Sequence, residues 1–102
     1  MTEILSLVGL VDYQEGAVVS KTLMKKEKGT VTLFAFDAGQ SLSEHTVPHD
    51  ALVQVVDGEA EISVAGKPYR LAAGEVIVMP AGEPHSVAAR SRFKMLLTMI
   101  RA

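Results

Sequence analysis

Residues 73–87 read AGEVIVMPAGEPHSV: four apolar residues, Val76 to Met79, lie between Gly74 and a Pro80-Ala81-Gly82 turn, and a single histidine follows three positions later. Glycine reaches backbone conformations closed to other residues, and proline cannot continue a hydrogen-bonded ladder. Gly74 therefore bends the chain into a short strand that is apolar on both faces, as expected of one buried between a core and a second layer. Pro80 and Gly82 end that strand and turn the chain so that His85 starts the next one facing inward.

The rest of the chain has the same punctuation. Gly and Pro divide it into short segments rich in Val, Leu, Ile, Thr and Phe, which favour strands over helices. In Glu59 to Val64, Ala60, Ile62 and Val64 alternate with Glu59, Glu61 and Ser63, giving one dry and one wet face. Asp57-Gly58 before it and Ala65-Gly66-Lys67-Pro68 after it predict consecutive antiparallel hairpins. Val18 to Met24 and Thr30 to Phe36 flank a charged tip, Lys25 to Gly29, read as solvated rather than as a nucleic-acid patch because no aromatics interleave its lysines. In Phe93 to Ile100, Phe93, Met95, Leu97 and Met99 share one face, and covering the other face, with Leu96 and Ile100, calls for a partner chain. Ile4 to Val11 fits either a strand or a short helical turn.

The bounds on function are firm. The 102 residues are read as a single domain, 1–102, with no repeat, linker or low-complexity tract. With no cysteine, disulfides, thiolate metal sites and cysteine nucleophiles are excluded, and histidine, carboxylate and amide groups must carry any chemistry. Ten basic residues against twelve acidic ones provide no broad positive field for nucleic acid. Ile4 to Val11 is far too short to span a bilayer and lacks the flanks of a signal peptide. The expectation is a cytoplasmic protein with a small-molecule partner, no nucleic acid and no membrane. No G-x-S-x-G elbow, P-loop or dinucleotide fingerprint is present.

Gly74, five residues, Pro80, one residue, Gly82, two residues and His85 match the second motif of the cupins, with Ala89 where that motif usually has Asn. Upstream, Gly39, five residues, His45 and then Gly58 match the frame of the first motif. The chain thus resembles a single-domain cupin, which implies an all-β, double-stranded β-helix (jelly-roll) barrel. It also implies His45 and His85 inside that barrel, holding a divalent metal of the Fe, Mn, Ni, Cu or Zn type. Val47 and Ala51 stand where the family usually has a second histidine and a glutamate, so two of the four ligands that the resemblance implies are replaced by side chains that coordinate nothing.

His49 shares the parity of His45 and Val47 and is ranked first as a replacement ligand, although Pro48 restricts Val47 and threatens that alignment. Gln54 has the opposite parity to Ala51 and Val53 and ranks below it. The candidate metal set is His45, His49 and His85, and the candidate ligand-lining set is Val47, Ala51, Val53 and Met79. Each has a plain alternative: a hydrogen-bonded core histidine at 85, exposed turn residues at 49 and 50, and flexible core filling for Met79, Met95 and Met99 in place of a copper(I) pocket.

The first reading is a homodimeric cupin, paired through its apolar outer sheet face, that binds a compact ligand or a divalent metal ion in a barrel lined by His45, Val47, Ala51, Val53 and His85, the small residues enlarging the cavity and favouring an apolar or aromatic guest. The second is a metal-dependent dioxygenase or isomerase built on His45, His49 and His85. The third, a sensing module that docks partners on its barrel, rests on fold analogy alone.

Overall fold

The computed structural model describes residues 2–101. Eight strands follow in chain order: β1 (Val18–Lys26), β2 (Gly29–Phe36), β3 (Ser41–His45), β4 (Asp50–Val64), β5 (Lys67–Ala72), β6 (Val76–Met79), β7 (His85–Ala88) and β8 (Phe93–Ile100). Each strand pairing is antiparallel. One sheet holds β1, β2, β8, β6 and the first half of β4; the other holds β3, β7, β5 and the second half of β4. Because β4 belongs to both, the two sheets curl around one interior as a jelly-roll barrel.

The predicted Asp57-Gly58 hairpin is not there: Gly58 is the corner of the 15-residue β4. Its φ is +76°, and a Cβ would meet the Arg92 carbonyl oxygen at 2.3 Å, so the chain turns the corner only where it has no side chain. Residues Val55 and Asp57 flank a register shift against β8, which re-aims the strand into the second sheet. The hairpin predicted at Ala65-Gly66 does form, with both residues at positive φ.

Inside, alternate residues of both sheets meet: Val53, Val55, Ile62, Phe36, Phe93 and Met95 are at most 1% exposed. The Phe36 and Phe93 rings stack at 4.6 Å between centroids, worth about 0.5–1.5 kcal/mol beyond their buried area. The parity read along β8 holds, since Lys94 and Leu96 face outward while Phe93, Met95, Leu97 and Met99 belong to the interior cluster.

What covers that outer face differs from the expectation. The chain's own N-terminal segment, with a 3-10 turn at Leu7–Gly9, packs Val11 with Leu33 and Ala35, together with Leu7, Leu10, Val56 and Leu96. Lys94, only 7% exposed, anchors it: its Nζ donates to the Val8 carbonyl at 2.6 Å and lies 4.9 Å from the Tyr13 ring centroid. The Tyr13 hydroxyl donates to Asp57, and burial together with that carboxylate raises the Tyr13 pKa well above its ordinary value. β6 also departs from its reading, because only its inner face is covered: Val76 and Val78 are 55% and 59% exposed.

Candidate functional site

His45 ends β3 and His85 begins β7, and the two are directly opposite in register. A register shift between Leu42 and His45 turns the end of β3 so that its last side chain meets its partner. The imidazole rings sit edge to face with centroids 4.3 Å apart, an interplanar angle of 66° and unequal cover: His85 is buried, His45 exposed. The pair therefore reaches solvent from the His45 side.

Both rings are oriented by main-chain carbonyls two residues earlier. Nδ1 of His45 is 2.8 Å from the Ser43 oxygen, and Nδ1 of His85 is 3.3 Å from the Glu83 oxygen. A carbonyl can only accept, so each Nδ1 carries a proton, and in a neutral ring Nε2 is then the nitrogen that keeps a lone pair. Burial, and secondarily the neighbouring His45, push the His85 pKa below its ordinary value against the opposing effect of the Glu83 carbonyl. Its neutral form is favoured, and with both rings neutral the pair presents two acceptor nitrogens.

The expected apolar lining is present but closed. Ala51 and Met79 are opposite in register and each 3% exposed; Val53 is fully buried two positions deeper. All three belong to the packed core cluster, so replacing the family's glutamate by Ala51 has not produced the enlarged cavity expected there. Val47 is half-buried, and its carbonyl accepts from the Gly82 N–H, tying the end of the first motif to the turn of the second. A groove of about 590 Å³ opens instead between β5 and β6, lined by Val64, Tyr69, Leu71, Val76, Ile77 and Pro80 among others. Neither histidine lines it, although Val64 is the register partner of His85.

His49 does not join the pair as a third ligand. It lines a separate pocket with Lys25, Lys26 and Arg101, and its Nε2 accepts from Arg101 Nε at 2.9 Å. The strand that would have carried parity from His45 to His49 is interrupted: β3 stops at His45, β4 begins at Asp50, and Pro48 lies between. Among the described residues no group of three or more His, Cys, Asp or Glu side chains could hold a metal ion. Two imidazoles fall short of the three protein ligands that catalytic metal sites keep, so the donor set does not fit the resident metal that the resemblance implies.

The other polar side chains and the methionines take structural places. Gln54 pairs with outward-facing Val76 and Leu96, as its parity required. Asp50 Oδ1 accepts from the Ala81 N–H at 2.9 Å and clamps the start of β4 to the β6–β7 turn. Arg70, Arg90 and Arg92 form surface ion pairs with Glu59, Glu61 and Asp37. Met79 and Met95 pack in the core cluster with Met99 against it. No helix of the described residues is long and apolar enough to cross a membrane.

Known proteins share this architecture. A conserved protein of unknown function from Streptococcus pyogenes is 36% identical and superposes with a TM-score of 0.95 over 100% of this chain and 90% of that one. A cupin 2 conserved barrel domain protein from Leptotrichia buccalis is 45% identical, with a TM-score of 0.92 over 95% of this chain and 47% of that one. An uncharacterized protein of Streptomyces coelicolor is 34% identical over 62 residues, 61% of this chain, and the match spans 59% of that protein's length. The Cupin domain family matches residues 32–101, which take in all three histidines, β3 to β8 whole and the second half of β2. The chain belongs to the cupin family.

Proposed function

We propose that this protein is a small-ligand-binding cupin in which His45 and His85 anchor a compact, largely apolar guest that carries a hydroxyl or N–H donor. The observation that carries this reading is the pair of Nδ1-to-carbonyl contacts, at 2.8 and 3.3 Å, on two rings whose centroids are 4.3 Å apart, which assigns the lone pair of each neutral ring to Nε2. Acceptors select a donor on the guest. Half-buried Val47, two residues from His45, is the part of the expected apolar lining that is not closed into the core, and it favours an apolar guest over bulk water. The dioxygenase or isomerase alternative needs a third protein donor, and His49, the one put forward for that role, is engaged by Arg101.

The test is thermal stabilisation of metal-free, untagged protein by small phenols and by the same aromatics without the hydroxyl. A guest at 100 times its Kd stabilises by about 2.7 kcal/mol. The hydroxylated compounds should raise Tm, their unsubstituted counterparts should do so less, and His85→Phe should remove the difference. Stoichiometric Fe, Mn, Ni, Cu or Zn that survives dialysis and disappears in His85→Ala would instead favour the enzyme.

The homodimer belongs to the same proposal. Leu52, Val76, Val78 and Ile100 are 37–59% exposed and face outward on the sheet that contains β8, beyond the reach of the N-terminal segment. A second copy offers the same apolar row, so a two-fold pairing covers like with like. Light scattering should give twice the chain mass for the native protein and the chain mass for Val78→Glu; a native monomer would refute the pairing.

A further inference from the structure

The pocket that captured His49 lacks one kind of partner. It has a volume of about 230 Å³ and is lined by Lys25, Lys26, Glu27, Thr30, His49 and Arg101, with Gly29 and Met99 completing the wall. Arg101 is held at two points: its backbone N–H donates to the Lys28 carbonyl at 2.7 Å and its Nε donates to His49 Nε2 at 2.9 Å. A guanidinium has five N–H donors and no acceptor, so the four on its terminal nitrogens have no protein acceptor among the described residues. Among the described residues none of Lys25, Lys26 and Arg101 forms an ion pair there either.

The contact with Arg101 also fixes the state of His49. Because Arg101 always donates, Nε2 of His49 must accept, which places the ring proton on Nδ1. That Nδ1 is shut off from solvent and has no hydrogen-bond partner among the described residues. A buried donor left unmatched costs about 1–3 kcal/mol, so native structures rarely keep one without a reason. Among the described residues Glu27 is the one carboxylate lining the pocket, against the cations of Lys25, Lys26 and Arg101, and the Asp50 carboxylate next in sequence to His49 is engaged by the Ala81 N–H.

We infer that this pocket binds a small oxyanion, a phosphate or carboxylate group, on the terminal N–H groups of Arg101 with Lys25 and Lys26 closing over it. His49 is the positioning residue: by occupying Nε it fixes the guanidinium plane and turns the fork toward the anion, the geometry in which arginine binds oxyanions through two bonds. The site is separate from the His45–His85 pair, although four residues of chain keep His49 within about 14 Å of His45. An anionic group here and a donor at the imidazoles are therefore reachable by one elongated ligand or by two small ones.

The experiment is a titration of the full chain with inorganic phosphate, and separately with acetate, at constant ionic strength set with chloride, followed by amide and arginine side-chain NMR. Saturable shifts at Arg101, His49, Lys25 and Thr30, an affinity at least tenfold weaker in Arg101→Gln, and unchanged binding in His85→Phe are expected. Phosphate binding without acetate binding assigns a phosphoryl group, and comparable binding of both assigns a general oxyanion site. No saturable shift at Arg101 in the native protein, or equal affinity in Arg101→Gln and Lys25→Gln, would overturn the inference. The native-protein titration decides even where a variant folds poorly. Loss of this site leaves the His45–His85 reading intact, because that reading is tested with uncharged phenols.

Discussion

Gly58→Ala tests how the barrel brings its site together. Gly58 is the corner at which β4 passes from the sheet containing Ala51 to the sheet in which Val64 faces His85. An alanine there meets two penalties. Its φ of +76° costs a non-glycine residue roughly 1–2 kcal/mol. Its Cβ would stand 2.3 Å from the Arg92 carbonyl oxygen and 3.0 Å from Phe93 Cα, and because these are backbone atoms of the paired strand, relief requires β4 and β8 to part. Overpacking of that kind costs about 1–3 kcal/mol. The sum is about 2–5 kcal/mol, a large share of the roughly 5–15 kcal/mol that hold a domain folded. Urea denaturation should show that loss. Gly74→Ala is the control, since its φ of +92° brings the same backbone penalty but its Cβ would meet nothing within 4 Å. If Gly58→Ala lost no more stability than Gly74→Ala, the close approach of β4 to Arg92 would not be what shapes the corner.

Three further outcomes are expected. The His85 pKa lies below its ordinary 6.5 in the folded protein, so the unfolded chain binds more protons; stability should fall as pH drops from about 6.5 through the folded value, and denaturation midpoints of His85→Phe should lose part of that dependence. Lys94→Ala removes a charge-assisted bond to the Val8 carbonyl and a contact with the Tyr13 ring; a loss of about 2–4 kcal/mol in urea denaturation is expected, with faster proteolysis ahead of Val18, and a loss below about 0.5 kcal/mol would show that the N-terminal segment is held by apolar contact alone. Val47→His with Ala51→Glu restores the two missing donor types; equilibrium dialysis should show stoichiometric Zn or Ni on this variant and far less on the native chain, and equal binding by both would refute the argument from the donor set.

The sequence and the structure agree where the information is local. Alternation in Glu59 to Val64 and in Phe93 to Ile100 fixed which residues face inward, and glycine and proline spacing located the strand ends around β6. Two misreadings have one cause, because a residue's backbone preference does not say what lies across from it. Asp57-Gly58 has turn chemistry, yet the Arg92 and Phe93 backbone beside it makes the position a bend in one strand. His49 has the parity of His45, but parity is carried only by continuous strand, and the break at Pro48 sends it to Arg101, 52 residues away. The pairing of His45 with His85 came from motif spacing, not from local pattern. The oxyanion pocket had no local signal, because Lys25, His49 and Arg101 meet only through β1, β2, β4 and β8.

The central claim is that two imidazoles share one end of the barrel with their Nε2 lone pairs open to a guest, and histidine ring-nitrogen NMR at slightly alkaline pH measures this directly. The account predicts protonated Nδ1 and unprotonated Nε2 on both His45 and His85, with a nuclear Overhauser effect between the two rings. Protonation at Nε2 of either ring, or no through-space contact between them, would contradict it.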